Sequence, residues 1–89
     1  MENRVAIISI IVENDSNVER LNTLLHECGE HILGRMGIPY KKRKINIISI
    51  AIDAPQDAIN SLAGKIGRID GVVAKTVYSS NVYPADEIK

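Results

Sequence analysis

Two stretches of this chain, Val5-Ala-Ile-Ile-Ser-Ile-Ile-Val12 and Ile45-Asn-Ile-Ile-Ser-Ile-Ala-Ile52, are apolar at almost every position. Successive side chains of a strand point to opposite faces, so a strand with one wet face alternates apolar and polar residues. In the first stretch Val5, Ile7 and Ile11 point one way and Ala6, Ile8, Ile10 and Val12 the other. In the second, Ile45, Ile47 and Ala51 oppose Ile48, Ile50 and Ile52. Both strands are therefore expected to need cover on two sides.

Between them the period changes. Asn14-Asp-Ser-Asn17 supplies turn and capping chemistry, with Ser16 or Asn17 able to accept a hydrogen bond from a first-turn N–H. Val18, Leu21, Leu25 and Cys28 then recur at helical spacing, Leu24 widens the stripe, and Gly29 is placed where a left-handed residue ends a helix. His31 to Ile38 holds two glycines, which favour a slightly bulged strand over a continued helix. Pro39-Tyr-Lys-Lys-Arg43 predicts a hairpin into the strand beginning near Lys44. Asp53-Ala-Pro55 opens a second helix whose inward stripe is Ile59, Leu62, Ala63 and Ile66. Asp70-Gly71 turns into a last strand, Val72–Tyr78, and residues 81–89 read as a loose tail.

The order strand, helix, strand, strand, helix, strand is the split βαβ arrangement, a ferredoxin-like α+β fold with a four-stranded antiparallel sheet and two helices on one face. Right-handed crossovers place the first and third strands together at the centre. Those are the two apolar strands, and the helix-free face is left open unless sheets stack. A second copy of the chain is the expected cover, giving a homo-oligomer, dimer or tetramer, with Ile8, Ile10, Ile48 and Ile50 assigned to the surface between copies. A monomer whose tail folds back over the sheet is the alternative.

Eighty-nine residues make one domain, here residues 1–80 with the tail 81–89. Eleven basic residues balance eleven acidic ones, so the broad positive field of non-specific nucleic-acid binding is absent and no direct nucleic-acid partner is expected. The single cysteine, Cys28, rules out an intrachain disulfide and fits a reducing, cytoplasmic setting. The apolar run after Arg4 is too short to span a bilayer, so no membrane association is expected. With no Trp or Phe, the core must be aliphatic.

Most chemistry of this fold is excluded at its own positions. RNA-binding versions stack bases on central-strand aromatics, where this chain has Ile, Ser, Asn and Ala. Metal-chaperone and iron–sulfur versions need several cysteines. His26, Cys28 and His31 combine two metal-ligand types and are the candidate metal residues. Residues two apart on a helix diverge, however, and Cys28 lies on the apolar stripe, where a thiol acts as a small hydrophobe. Lys41-Lys-Arg-Lys44 can bind phosphates, or simply solvate a turn and guard an edge; the second use is favoured. Gly64-Lys-Ile-Gly67 lacks the hydroxyl residue of a phosphate loop. No nucleophile, base and acid fall at recognisable spacing, so the chain is not expected to be an enzyme. The turn Asn14, Asp15, Ser16, Asn17 is the better candidate site, because backbone N–H groups at a helix start can hold an anion; ordinary capping is the competing use.

Gly34-Arg-Met-Gly-Ile-Pro39 and Leu62-Ala-Gly-Lys-Ile-Gly-Arg-Ile-Asp-Gly-Val-Val73, with Asn22-Thr-Leu-Leu25, closely resemble the small ACT-like proteins called iron-only hydrogenase system regulators, nearly throughout the chain to Ser79. The resemblance implies a fold related to ACT domains and to the regulatory domain of nickel-responsive repressors, and a role in regulating hydrogenase maturation or expression. ACT domains carry a glycine at the entrance to the first helix, where this chain has Ser16-Asn17-Val18, so their usual amino-acid pose is not expected. The nickel-responsive relatives place a DNA-binding segment before the domain, whereas here the first strand starts almost at Met1, so regulation is expected through a small effector or a protein partner. Gly34, Arg35, Met36 and Gly37 join Asn14 to Asn17 as candidate ligand residues, the glycines allowing close approach. No cofactor can be named.

Overall fold

The computed structural model describes residues 2–14 and 17–84. The chain folds as β1 (Glu2–Val12), α1 (Val18–Glu27), β2 (Ile32–Tyr40), β3 (Ile45–Ala54), α2 (Gln56–Gly67) and β4 (Val72–Pro84). The four strands form one antiparallel sheet in the order β2-β3-β1-β4, which puts the two aliphatic strands at the centre as expected.

Strand parity decides what is buried. Ala6, Ile8, Ile10 and Val12 of β1 and Ile48, Ile50, Ile52 and Ala54 of β3 point towards the helices. They meet Leu21 and Leu25 of α1 and Ile59, Leu62 and Ile66 of α2 in one aliphatic core. Each such side chain removed from water contributes about 1.5–3 kcal/mol before conformational entropy is counted. The core thus consumes the residues assigned above to a surface between copies. Ile8, Ile10, Ile48 and Ile50 lie beneath the helices of their own chain, Ile8 and Ile50 with no exposure at all, and cannot meet a second subunit. The uncovered face carries the opposite parity.

Two local expectations are corrected, and the expected hairpin gains its geometry. Gly29 is not a left-handed cap: Cys28 ends α1 at φ −103°, and Gly29–His31 form a short 3-10 turn. A second 3-10 turn, Lys41–Arg43, makes the hairpin, and Lys44 adopts the left-handed conformation that closes it. Residues 81–84 are strand rather than tail, since β4 runs on to pair Val82, Tyr83 and Pro84 with Arg4, Asn3 and Glu2; residues 85–89 lie outside the described part. This late pairing follows an irregularity in register between Arg4 and Ala6. Arg4 spans it, donating to the Ser79 carbonyl at 2.7 Å while its guanidinium stacks over the Tyr78 ring at 4.9 Å. The expected bulge in β2 is present, between Ile32 and Gly34.

Candidate functional site

The helix-free face of the sheet is organised in ranks that cross all four strands. Ile38, Ile47, Ile11 and Val73 form one apolar rank, and Gly34, Ala51, Ile7 and Val77 another. Between them runs a rank of Met36, Ser49, Ser9 and Lys75. Ile7, Ile11, Met36, Ile38, Val73 and Val77 are all exposed, Val77 by 64%. Strands about 4.8 Å apart and ranks about 6.8 Å apart make this surface roughly 400 Å² in plan. Two of its three ranks are apolar, and exposed apolar side chains grouped in this way mark association surfaces.

The turn before α1 is tied to the far edge of the sheet. The Glu13 N–H donates to the Gly71 carbonyl at 2.6 Å, and the Asn17 side-chain amide donates to the Asp70 carbonyl at 2.6 Å. Asn17 caps α1 by position but makes no side-chain bond to a first-turn N–H, contrary to the expected capping role. Asn14 packs against Gly71, whose φ of 79° suits glycine. Asp15 and Ser16 lie outside the described residues. Gly34, Arg35, Met36 and Gly37 sit on β2, the opposite edge from β4. One chain therefore does not bring Asn14 and Asn17 into a common pocket with Gly34 to Gly37.

A cleft of about 820 Å³ opens instead between α1 and β2, lined by Glu19, Asn22, Thr23, His26 and Arg35 over an apolar floor that includes Leu25 and Ile32. Arg35 pairs with Ile50 in the sheet and so faces the helix side, towards α1. Arg35 crosses the gap and donates to Asn22 Oδ1 at 3.3 Å. Glu19, Asn22, Thr23 and His26 follow i, i+3, i+4, i+7 spacing, so they form one stripe of α1. Their role was not anticipated from sequence, although this polar periodicity opposite the apolar stripe was there to be read.

The candidate metal residues separate. His26 faces that cleft, whereas Cys28 lines a smaller one between α1 and α2 with Leu24, Ala58, Leu62 and Lys65. His31 lies 3.7 Å from Glu30. Among the described residues no three His, Cys, Asp or Glu side chains come together to hold a metal ion. Nor is any helix among them long and apolar enough to cross a membrane.

Residues 4–76 match the model of the TM1266-like family, described as an iron-only hydrogenase system regulator. The fold superposes on the uncharacterized protein TM1266 of Thermotoga maritima with a TM-score of 0.82 and 36% identity, over 85% of this chain and 96% of that one. It also superposes on a formyltetrahydrofolate deformylase from Pseudomonas putida KT2440 with a TM-score of 0.64 and 12% identity, over 86% of this chain and 29% of that one. The apo form of the nitrogen regulatory PII-like protein CPII from Thiomonas intermedia K12 gives a TM-score of 0.52 at 15% identity, over 94% and 98%. The last two likenesses concern the fold alone. Among curated proteins none matches.

Proposed function

The chain belongs to the iron-only hydrogenase system regulator family, and from that membership we propose that it acts as a ligand-responsive regulatory homo-oligomer rather than as an enzyme. One observation carries the proposal: the sheet presents two complete apolar ranks on the face its own helices leave open. A second sheet stacked about 10 Å away would remove both ranks from water and seat the small Ser9 and Ser49 side chains at the centre of the gap. Lys75 stands on an edge strand, from which its long stem can carry the ammonium to the rim.

Oligomerisation also supplies what a lone chain lacks for sensing. The candidate ligand segments are held apart in one chain, since the Asn17 amide turns to the Asp70 carbonyl ahead of β4 whereas Gly34 to Gly37 lie on β2. A pocket that uses both takes one segment from each of two copies, so effector binding and assembly would be coupled. The effector is a small molecule bound at that seam, and regulation passes through it or through a protein partner, not through direct contact with DNA.

Sedimentation across a dilution series, combined with a thermal-shift screen of amino acids, nucleotides and divalent metals, tests the proposal. The expected result is an oligomer with at least one compound that raises its Tm in a concentration-dependent way. A monomer at every concentration would sink the assembly. An oligomer indifferent to every compound would leave an assembly module without an effector.

A further inference from the structure

The outer edge of β2 has no strand partner among the described residues, and its surroundings are unusual for a guarded edge. Neither glycine of the strand is required by the sterics of the chain itself. Neither has a positive φ, and a methyl group added at Gly34 or Gly37 would meet nothing within 4 Å. Glycine in a strand interior weakens the strand, and one use for it is close approach by another backbone. The stretch Gly34–Ile38 keeps every backbone N–H, and only Pro39 lacks one. Beside this edge runs the α1/β2 cleft, able to take the side chains of an added strand that point to the helix side.

The charge of β2 and its hairpin is one-sided, although Glu19 of α1 faces the adjoining cleft. Between Glu30 and Asp53 the chain has no acidic residue, while Arg35, Lys41, Lys42, Arg43 and Lys44 all fall there, leaving six basic residues against all eleven acidic ones elsewhere. Lys41 to Lys44 are exposed at the hairpin that ends β2, and among the described residues none of them, nor Arg35, forms an ion pair with a carboxylate.

We infer that the β2 edge and the adjoining cleft form a docking groove for an extended, acidic segment of a partner protein. The segment adds to the sheet along Gly34–Ile38, places alternate side chains in the cleft over Leu25 and Ile32, and sets its carboxylates against Arg35 and the Lys41–Lys44 hairpin. Backbone bonds give such a complex its affinity, and the pockets and charges give it its choice of partner. A second copy of β2, paired antiparallel about Met36, is the poorer occupant, because it would set only Glu30 against the four cations Lys41, Lys42, Arg43 and Lys44. This surface is distinct from the open sheet face, so it adds a partner site to the oligomer rather than restating it.

Selection from a displayed library of short random peptides on the purified full chain tests the inference, with amide exchange mapping of the selected peptide. The selected sequences should hold a block of Asp or Glu beside alternating β-branched residues, and should protect those amides of Gly34–Ile38 that face away from β3. Gly37→Val should melt at or above the parent temperature yet bind at least about tenfold more weakly. Reversing Lys41, Lys42 and Arg43 to Glu together should weaken binding about tenfold, an effect that shrinks at high salt. An empty selection, sequences without acidic excess, protection confined to β4 or to the open face, or amides already protected in the free protein by a second copy would each overturn it.

Discussion

Ser9 on β1 stands directly opposite Ser49 on β3, at the centre of the sheet face turned away from α1 and α2. The two small hydroxyl residues interrupt an otherwise aliphatic surface at the same height on both central strands. They mark the wetter of two faces that are both apolar. The helix side of the same strands, Ala6, Ile8, Ile10 and Val12 against Ile52, Ile50, Ile48 and Asn46, carries no hydroxyl.

Neighbouring residues of β1 should therefore respond in opposite ways to the same substitution. Ile8 has no exposed surface, and an aspartate there would be an unpaired charge in an aliphatic core. Ile8→Asp is expected to cost more than about 4 kcal/mol, a large part of the stability of so small a domain, and to unfold it. Ile7 is 47% exposed on the open face. Ile7→Asp should keep its circular dichroism spectrum and cooperative melt while sedimenting as a smaller species. If Ile7→Asp leaves the mass unchanged at low concentration, the open face is not where copies meet.

How much of this was legible beforehand differs residue by residue. Continuous aliphatic runs placed β1 and β3 and helical stripes placed α1 and α2, whereas β2 was legible only through its two glycines and β4 through the turn before it. The two faces of β1 could not be ranked by hydrophobicity alone, since Ile stands on both; the parity of Ser9 and Ser49, small hydroxyls that fit between packed sheets, is what separates them. The end of β4 was hidden for a different reason. Asn81 and Pro84 look like tail residues, and their strand exists through pairing with Glu2–Arg4 far away in sequence. Asn17 was recognised as a cap position, but its amide reaches the Asp70 carbonyl, a partner that only the folded chain brings near.

Arg4 should prove to be the clasp of that distant pairing. It donates to the Ser79 carbonyl and to Gln56 Oε1 at 3.3 Å while covering Tyr78, whose hydroxyl in turn donates to Asn60 Oδ1. Arg4→Met keeps the packing of the stem and removes the charged donors, at a cost of about 1–2 kcal/mol. Arg4→Lys should recover little of it, because an ammonium cannot stack and fork as a guanidinium does. The distinguishing measurement is amide exchange. Val82 and Tyr83 should lose protection in Arg4→Met while Ile8 and Ile50 keep theirs.

Cys28 offers a check on metal binding by the candidate residues His26, Cys28 and His31. It packs against the aliphatic core between the two helices, while His26 lines a different cleft, so the two cannot share an ion within one chain. Protein purified anaerobically as wild type and as Cys28→Ser should carry the same metal content by elemental analysis, and should differ in stability by about 1 kcal/mol or less. Loss of a stoichiometric metal in the variant would show that copies assemble a site from these residues between them.

Gly71 provides the sharpest test of the turn that anchors α1 to the sheet. Its φ of 79° lies in the left-handed region, which costs a residue with a side chain about 1–2 kcal/mol. A Cβ there would also sit 2.7 Å from the Cβ of Asn14, closer than such atoms can come. The Glu13 N–H that bonds the Gly71 carbonyl and the Asn17 amide on Asp70 hold this turn against the chain entering α1, so neither side can retreat without breaking a bond. Gly71→Ala is accordingly expected to destabilise the fold by about 2 kcal/mol or more, lowering Tm by roughly 10 °C or more for a domain of this size. Gly67→Ala is the matched control. It lies at the end of α2 with open space where the methyl would go, and alanine suits a helix better, so its Tm should hold or rise. Equal melting temperatures for the two variants would mean that the Asn14–Gly71 contact is looser in solution than its geometry requires.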